Sequence, residues 1–308
     1  MSKLEIKVID SDSIDQIKWS KMLLRTPELI AQYSEYWFLT TISDKWQAYV
    51  YGDYQSAFPC VYKTRYGIKI MYQPFFSRGF SLLGNQDQDL LNKIIMLVNE
   101  RFSLIRFNSE EIIQDFGFQK TSMKYQLLSL NRSYEEIFDN YATNAKRILK
   151  KKPNVDIKET NNTLGFIELF KDKIGVKLGY KPSNYDSLGE LIDQGLGNGT
   201  FKLFSLASHN KNYGYACFYF YRNTVNYIKG VLNDDGKNDG AMYVMFDYLI
   251  RTYAGTDKVL DFGGSNINGV ATFYRKFGAD NKTYYSYEKN QLPLLFRKLY
   301  DFRQKFVN

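Results

Sequence analysis

Residues 259–287 read VLDFGGSNINGVATFYRKFGADNKTYYSY, and this stretch decides the expected fold. A branched apolar pair leads into Asp261, and Gly263 and Gly264 follow. A polar loop then opens an aromatic-rich helical segment and an alternating aromatic strand. In an α/β sheet, ligands bind beyond the carboxyl ends of strands, which is where Asp261 and the glycines fall. The stretch therefore predicts a strand, a glycine turn at a ligand-binding edge, a helix and a second strand.

Two roles are open for Asp261. A carboxylate beside apolar strand residues costs free energy unless it is hydrogen-bonded, so Asp261 either ties down the turn at Gly263 and Gly264 or points into a site. We favour the tie. Ser265 has a structural interpretation of its own, because a serine at a helix start accepts hydrogen bonds from the first amides.

Composition sets the broad class of the protein. The chain has 308 residues, of which 44% are hydrophobic, enough for one large or two medium domains. Cys60 and Cys217 lie far apart, and no hydrophobic signal segment follows Met1, so we expect reduced thiols in a cytoplasmic protein. The single histidine, His209, excludes a histidine triad or a zinc site, and no metal is expected. No stretch approaches the roughly 20 apolar residues of a membrane span, so no stable membrane insertion is expected.

The positive charge lies mainly in the second half. Residues 151–308 hold 22 Lys and Arg against 16 Asp and Glu, whereas residues 1–150 hold 19 against 17. The densest basic cluster, which includes Lys146 and Arg147, lies at the end of a predicted helix. Cations in the last turn of a helix interact favourably with the helix dipole and with water. We prefer this structural explanation to phosphate binding, which stays open. An anionic small molecule or precursor is therefore a plausible partner.

One pattern of elements occurs twice along the chain. Each copy has three strand-like runs, a glycine-bearing loop and an amphipathic helix. The runs are WQAYVYG, AFPCVYKTR and IKIMYQPFF before DQDLLNKIIMLVNERF, and FKLFSLAS, GYACFYFYR and VNYIKGVLN before AMYVMFDYLIRTYAG. A short strand, LIRFN or KVLDF, follows each helix and is expected to lie parallel to the strand before it. The pattern predicts a duplicated α/β (α+β) unit with a mixed sheet in each half.

A helical segment separates the two halves. SYEEIFDNYATNAKRILKKKP begins with Ser133 and Glu136 at capping-box spacing and ends at Pro153. We therefore expect a first domain over 1–132, a linking helix over 133–153 and a second domain over 154–308.

The order of strand, D-F-G-G, loop, helix, F-x-x-x-F-G-A and aromatic strand in 259–287 resembles the second domain of the Fem family. Asn144-Ala-Lys146-Arg147 is similar to the N-x-R-R-type segment of that family. The resemblance covers most of the chain. It implies two tandem GNAT-like acyltransferase domains, each a mixed β-sheet flanked by helices. It also implies transfer of an amino acid from aminoacyl-tRNA onto a peptidoglycan-precursor peptide of the bacterial cell wall.

Further motifs extend the resemblance into a binding site. Lys181-Pro-Ser-Asn-Tyr185 is similar to the R-x-x-x-Y with which Fem enzymes reach the phosphate and peptide of the precursor, with Lys in place of Arg. Positive charge is kept but the bidentate fork is lost. Tyr227-Ile-Lys229-Gly230 is similar to the family's Y-x-Y-G. The resemblance thus implies Lys181, Tyr185, Tyr227 and Lys229 as substrate-binding residues.

The chemistry that follows is acyl transfer to an amine. Where the family often has a lysine near the transferred group, this chain has Tyr274, and the family's lysine after the first-domain tryptophan is not found after Trp37. In this interpretation an amine attacks an ester or thioester carbonyl, and Asp261 or Tyr274 helps to remove its proton. Lys181 or Lys229 holds an anionic part of the substrate, so orientation and charge stabilisation supply most of the catalysis.

Two alternatives stay open: an N-acetyltransferase that uses acetyl-CoA, and a degenerate GNAT scaffold that only binds an anion. A CoA diphosphate needs a loop of amides at a helix start, but the loop 233–240 carries three aspartates that would repel it. The loop around Arg78 and Gly79 has better charge for this role, although turn geometry explains its glycine and is favoured. The acyl donor, aminoacyl-tRNA or acyl-CoA, is not decided by the sequence, and tRNA is a possible partner.

Overall fold

The computed structural model describes residues 5–151, 153–177, 179–264, 268–293 and 297. The α-helices of these ranges are α1 (Gln16–Leu24), α2 (Glu28–Ala31), α3 (Tyr36–Ile42), α4 (Gln88–Arg101), α5 (Tyr134–Asp139), α6 (Thr143–Lys150), α7 (Thr163–Phe170), α8 (Pro182–Gly197), α9 (Asp234–Asn238), α10 (Ala241–Tyr253) and α11 (Asn268–Arg275). A π-helical turn, Lys171–Gly175, continues α7. Within the described ranges, none of the helices combines the length and apolar character needed to cross a membrane.

The strands alternate with these helices along the chain. They are β1 (Ile6–Asp10), β2 (Trp46–Tyr51), β3 (Ser56–Arg65), β4 (Ile68–Met71), β5 (Leu83–Gly84), β6 (Leu104–Ser109), β7 (Gln119–Ser129), β8 (Asp156–Thr160), β9 (Phe201–Ser208), β10 (Lys211–Tyr221), β11 (Thr224–Leu232), β12 (Val259–Gly264) and β13 (Asp280–Asn290).

The chain divides into two compact units. Unit 1 runs as far as Met123 and resumes at Tyr284, and unit 2 is Lys124–Thr283. The chain therefore passes from one unit to the other within β7 and returns within β13. Each of these two strands contributes residues to both units.

Unit 1 contains a mixed sheet in the order β1-β2-β3-β4-β6-β13, with β5 beside β3. The strands β1 to β4 form antiparallel pairs. The turn between β3 and β4 is tight because Tyr66 and Gly67 both adopt positive φ, which matches the twist of a hairpin. After α4 the chain returns in β6, which lies parallel to β4. Trp19 of α1 packs on Trp46 of β2, with ring centroids 5.4 Å apart, in the core of this unit.

Unit 2 contains a mixed sheet in the order β7-β12-β11-β10-β9-β8. The strands β8 to β11 are antiparallel neighbours, and His209 lies in the turn that joins β9 to β10. After α10 the chain enters β12, which is parallel to β11 and antiparallel to β7. Because β11 and β12 are parallel, their carboxyl ends lie at the same end of the sheet.

Alternation of side chains along β10 assigns the helices to opposite faces of this sheet. Phe218 lies against Phe246 of α10, with ring centroids 6.0 Å apart. Tyr215, an odd number of residues away, lies against Phe166 of α7, with centroids 6.2 Å apart. Unit 2 is therefore a sheet between two helical layers, with α10 on one face and α7 on the other.

The same order of elements occurs in both units. Three antiparallel strands, β2 to β4 or β9 to β11, are followed by a long helix and by a strand parallel to the third. The predicted mixed sheets flanked by helices are confirmed, and so is the parallel placement of the strand that follows each helix.

The prediction of one linking helix is wrong, since the segment forms two helices, α5 and α6. Ser133 caps α5 in the predicted capping box with Glu136. The break follows because the backbone N–H of Ala142, at the start of α6, donates to the carbonyl oxygen of Lys276 at 2.9 Å. This partner is distant in sequence, so local helix signals could not reveal the break.

Both helices contribute to the core of unit 2, where Ile137, Tyr141 and Ala145 are buried. Burial on this scale stabilises α5 and α6 as part of the unit, because apolar area removed from water contributes about 25 cal/mol per Å². The domain boundaries predicted from the sequence, 1–132, 133–153 and 154–308, stay a prediction.

Candidate functional site

A candidate site lies in unit 2, where the two parallel strands β11 and β12 stop pairing. Their ladder covers three residue pairs, from Thr224 opposite Val259 to Asn226 opposite Asp261. The strand β11 continues to Leu232 and keeps β10 as its partner on the other side. From residue 228 onward, β11 therefore extends beyond its described ladder with β12. The geometry agrees with the general placement of ligands at the carboxyl ends of parallel strands.

Lys229 lies on β11 just beyond this ladder. The pairing of β11 with β10 shifts register between Cys217 and Phe218, so residue 228 forms a bulge immediately before Lys229. The side chain is half-buried, and its Nζ lies 5.8 Å from the ring centroid of Phe170 at the end of α7. Lys229 thus lies on the α7 face of the sheet.

The ammonium group of Lys229 has no carboxylate or other hydrogen-bonding partner in the described part of the chain. Burial lowers the pKa of Lys229, because a charged amine is disfavoured away from water. A half-buried cation of this kind can bind an anionic group of a ligand. With a lowered pKa it can also exchange a proton more readily than an ordinary lysine.

Tyr227 lies on the opposite face of β11 and packs into the core beneath α10. Its ring centroid lies 5.1 Å from that of Phe246 and 6.2 Å from that of Tyr274. A Cβ at Gly230 would overlap the Tyr227 hydroxyl, so the glycine is needed to seat this ring. Burial raises the pKa of Tyr227 well above its ordinary value, and the phenol therefore stays protonated and can act only as a donor or acceptor.

Asp261 is fully buried on β12, at 0% exposure. Its Oδ1 accepts a hydrogen bond from the backbone N–H of Gly263 at 2.8 Å. Gly263 has φ +76°, a conformation that a side chain disfavours, and the pairing of β12 with β7 is irregular over the same residues. The carboxylate therefore makes a hydrogen bond to the glycine turn, and the choice between a structural tie and a site residue stays a prediction. Gly264 ends the strand and is exposed, and Ser265 lies outside the described residues.

Tyr274 lies on α11 with 7% of its surface exposed. Its ring stacks on Phe262 of β12 with centroids 5.0 Å apart. Burial, and then the negative charge of Asp261, raise the pKa of Tyr274. The structure thus brings Tyr274 near Asp261 and Tyr227, two of the other predicted site residues. A phenol with a raised pKa is suited to donating a hydrogen bond and is a poor base at neutral pH.

Lys181 and Tyr185 are separated by the start of α8. Lys181 is the N-cap, exposed, and its backbone N–H donates to Asn184 Oδ1 at 2.8 Å. Tyr185 is buried, and its ring packs against Phe170 with centroids 6.4 Å apart. A Cβ at Gly175 in the π-helical turn would overlap this tyrosine. Tyr185 therefore packs against Phe170, the same ring that lies near Lys229.

Lys146 and Arg147 lie on α6 and bond locally. Lys146 Nζ donates to the carbonyl oxygen of Asp139 at 2.8 Å, which satisfies the end of α5. Arg147 donates to Asn144 Oδ1 at 3.2 Å and is otherwise exposed. Whether these two cations also bind phosphate stays a prediction.

Arg78 belongs to unit 1, in the loop that follows β4. Its side chain is 5% exposed and forms a salt bridge from Nη2 to Glu110 Oε1 at 3.1 Å. A Cβ at Gly79 would collide with the backbone oxygen of Asn108, so this glycine permits close approach of the loop to β6. Arg78 is therefore already paired, and its loop is packed onto the strand.

Next to this pair, Glu111 holds the other end of the same loop. Both of its carboxylate oxygens lie 3.2 Å from the backbone N–H of Leu82, and Ser109 Oγ lies 3.2 Å from Oε2. Burial raises the pKa of Glu111 to about 7, although these hydrogen bonds lower it in part. Glu111 was not predicted as a functional residue, because its partner Leu82 is distant in sequence.

The loop 233–240, considered above for CoA, folds into α9 and uses its own amides. The N–H of Gly236 donates to Asn233 Oδ1, and the N–H groups of Lys237, Asp239 and Gly240 donate to carbonyl oxygens of the same loop. Tyr213 donates its hydroxyl to Asp239. A diphosphate would have to displace these bonds and approach three aspartates, so the loop is poorly suited to CoA.

The π-helical turn Lys171–Gly175 was also not predicted. Such turns occur mostly where a helix is distorted at a functional or tightly packed position. Here the turn follows Phe170 directly and contacts β11. The glycine at its end was the available sequence signal, but its partner Tyr185 is ten residues away and could be identified only in the fold.

Comparison with known proteins adds the fold relationship. No protein-family profile and no curated protein matches the chain. FemX, a solved structure, is 11% identical over 92% of this chain and 98% of its own, with a TM-score of 0.64. A tandem GNAT protein from the clavulanic acid biosynthesis pathway is 8% identical over 94% and 99%, with a TM-score of 0.57. The C-terminal domain of a putative lysylphosphatidylglycerol synthetase from Agrobacterium fabrum is 11% identical over 91% and 92%, with a TM-score of 0.56.

At these identities the likeness shows the fold. The chain has the tandem GNAT fold found in FemX, as the motifs in residues 259–287 implied. Fold alone does not establish an activity, which has to be argued from the site.

Proposed function

We propose that the protein is a transferase that moves an acyl or aminoacyl group onto an amine of an anionic acceptor, at the end of the β11–β12 ladder in unit 2. One observation carries the proposal: Lys229 holds a half-buried positive charge there without a partner in the described chain. Burying an unpaired charge costs free energy, so a bound anion is the simplest means of offsetting it. The tandem GNAT fold supports acyl transfer as the reaction class.

In the proposed reaction the acceptor amine attacks the carbonyl of an ester or thioester. A C–N bond forms, the C–O or C–S bond breaks, and the proton of the amine ends on the leaving group. Lys229 holds the anionic part of the acceptor on the α7 face of the sheet. Tyr274 packs against Phe246 on the α10 face and takes no part in this step. Orientation of the two reactants accounts for much of the rate, as is general for such transfers.

We further propose an aminoacyl ester as donor, which makes aminoacyl-tRNA the preferred partner over acetyl-CoA. The occupied amides and three carboxylates of the loop 233–240 support this choice. Exposed cations of unit 2, including Lys181 and Arg147, are the proposed contacts for tRNA or precursor phosphates. The proposed acceptor is a peptidoglycan-precursor-like peptide with a nearby phosphate, in a cytoplasmic reaction.

The proposal is tested by measuring label transfer to a phosphate-bearing precursor peptide from aminoacyl-tRNA, and in parallel from acetyl-CoA. In Lys229→Ala we expect kcat/KM to fall about 10- to 100-fold, mainly through KM, because hydrogen bonds to charged groups contribute about 1.5–3 kcal/mol. Lys229→Arg should recover part of the loss. The control is Lys202→Ala, which removes a surface cation of unit 2 that pairs with Glu159 at 2.7 Å.

Each outcome decides a different point. Transfer from acetyl-CoA alone would overturn the proposed donor and keep the reaction class. Saturable precursor binding without transfer from either donor would favour the degenerate anion-binding protein. Unchanged kcat/KM in Lys229→Ala would remove this lysine from the site.

A further inference from the structure

A second concave site lies in unit 2, between α10 and the pair α5 and α6. It is an open groove of about 330 Å³. Its lining combines apolar and charged side chains: Tyr134, Phe138, Leu149, Lys150, Pro153, Val244, Asp247 and Arg251. This volume falls at the lower end of the range for small-molecule pockets. The groove belongs to the α10 layer, whereas Lys229 lies on the α7 face of the sheet, so the two sites are separate.

Asp247 anchors the polar end of the groove. The carboxylate is 7% exposed and accepts hydrogen bonds from the hydroxyls of Tyr134 at 2.9 Å and Tyr141 at 3.2 Å. Burial, and then the hydrogen bond to Asp247, raise the pKa of Tyr134 to about 12, so its hydroxyl stays protonated. The network is therefore a fixed arrangement with a buried negative charge.

Arg251 is held against this network through one nitrogen. Its Nη2 donates to the Tyr134 hydroxyl at 2.8 Å and lies 3.4 Å from Asp247 Oδ2, and the guanidinium carbon lies 4.3 Å from the Tyr134 ring centroid. The side chain is nevertheless 64% exposed. An arginine has five N–H donors in a planar fork, and the hydrogen bonds described for Arg251 use only Nη2. The other N–H groups are therefore held in a fixed orientation on an exposed side chain.

Lys150, at the end of α6, supplies a second cation. It is exposed and forms no salt bridge or hydrogen bond in the described part of the chain. Phe138, Leu149 and Val244 line the same groove and contribute apolar surface to it. The groove thus combines two exposed cations with apolar surface, which complements a molecule with an anionic head and an apolar body.

We propose that this groove binds a small amphiphilic anion, with a carboxylate or phosphate head on Arg251 and Lys150 and an apolar body on Phe138, Leu149 and Val244. The fixed guanidinium carries most of the specificity, since a planar fork binds a carboxylate or phosphate through two parallel hydrogen bonds. Lys150 adds a point charge that attracts the head and tolerates variation in its position. The site is independent of the proposed transfer reaction.

The test is titration of the purified full-length protein with octanoate and octyl phosphate, followed by calorimetry and by ligand-observed NMR. We expect saturable binding in the millimolar range or tighter, as is usual for ligands of this size. Octylammonium, with the same body and the opposite charge, should not bind. Octanoate and octyl phosphate together separate carboxylate from phosphate recognition, and tighter binding of either supports the site.

Variants locate the binding. Lys150→Glu reverses an exposed charge, so the fold should persist, and octanoate affinity should fall at least tenfold. Arg251→Lys keeps the charge beside Asp247 but removes the fork, and should also weaken binding. Lys211→Glu, an exposed charge reversal elsewhere in unit 2, is the matched control and should bind octanoate as the unmodified chain does. Equal binding of octanoate and octylammonium, unchanged binding in Lys150→Glu, or no saturable binding would each overturn the proposal.

Discussion

Arg78 in unit 1 and Lys229 in unit 2 are both cations partly or wholly withdrawn from water. Arg78 lies in the loop after the third meander strand of its unit, β4, and Lys229 lies on the third meander strand of its unit, β11. Arg78 meets Glu110 at 3.1 Å, and its loop is packed onto β6. Lys229 follows a bulge on β11, beyond the end of a parallel ladder, and its ammonium group lies 5.8 Å from the ring centroid of Phe170, without a hydrogen bond or salt bridge to the described residues. Two units with the same element order therefore hold one cation in a salt bridge, Arg78, and one cation without a salt bridge to the described residues, Lys229.

Under the proposed function, this difference assigns the binding role to unit 2. A buried cation with its own carboxylate is satisfied by the fold and needs no ligand, whereas one without a partner is a cost that the fold alone does not offset. We therefore expect the charged residues of unit 1 to act in stability and Lys229 to act in ligand binding.

The largest effect should come from opening the pair in unit 1. Glu110→Gln removes one anion from the Arg78 guanidinium, which is 5% exposed, and should lower the free energy of unfolding by about 2–3 kcal/mol. Denaturant titration measures this loss. The control is Glu288→Gln, whose pair with Arg106 has side chains 43% and 51% exposed and should contribute under about 1 kcal/mol. Equal losses in the two variants would show that Arg78 is not held by its charge partner.

Glu111 is a half-buried carboxyl group in unit 1 that accepts hydrogen bonds from an amide and a hydroxyl, without a cation in its described hydrogen bonds. Its folded pKa of about 7 lies above the ordinary value of 4.5, so the folded state favours the protonated form. Its contribution to stability is present below about pH 4.5 and is lost as the pH rises through about 7. Between pH 5 and pH 8 the unmodified chain should lose about 2 kcal/mol more stability than Glu111→Gln, because one pKa unit corresponds to about 1.4 kcal/mol. Parallel pH profiles of the two proteins would contradict the assignment.

Asp261 tests whether the charge in the glycine turn is structural. Asp261→Asn removes the charge of the carboxylate that accepts the Gly263 N–H, and should lower stability by about 1–2 kcal/mol. The folded fraction should keep its specific transfer activity. A variant that melts normally but transfers about 10²–10⁴-fold more slowly would instead identify Asp261 as a proton acceptor in the reaction.

The smallest stability effect, and one of opposite sign, is expected for Lys229. Lys229→Met removes a half-buried charge and keeps the length of the side chain, so the free energy of unfolding near neutral pH should rise by about 1 kcal/mol. Because its folded pKa is lowered, the unmodified chain should gain stability as the pH rises from that lowered pKa toward the ordinary 10.5, and the variant should not. A fall in stability at neutral pH would show that Lys229 is a structural cation like Arg78.

The sequence was informative where local pattern and fold agree. Alternating residues in three successive runs predicted the meanders, and the aspartate before Gly263 predicted a tied turn, because both signals depend on neighbours in the chain. The spacing of Lys181 and Tyr185 in the sequence did not predict where the two side chains lie. Four-residue spacing places side chains together only inside a helix, and Lys181 is the N-cap of α8, with extended backbone.

Other features depend on partners that are distant in sequence. The break between α5 and α6 is set by Lys276, and the burial of Glu111 is set by the loop that ends at Leu82. The lack of a partner for Lys229 is also a property of the folded surroundings, since the sequence shows many lysines with nothing to distinguish this one. Predicting such features requires the packing of the whole unit.

The passage of the chain through β7 and β13 bears on how the protein is made. Unit 2 is one continuous segment, Lys124–Thr283, and can be completed while the ribosome is still adding later residues. Unit 1 cannot, because β6 has β13 as one of its two neighbours, and the residues of β13 that pair with β6 are synthesised after unit 2. Until then β6 is an unprotected edge strand, open to pairing with another nascent chain. A chain interrupted after Thr283 would therefore release a finished unit 2 attached to an aggregation-prone remainder.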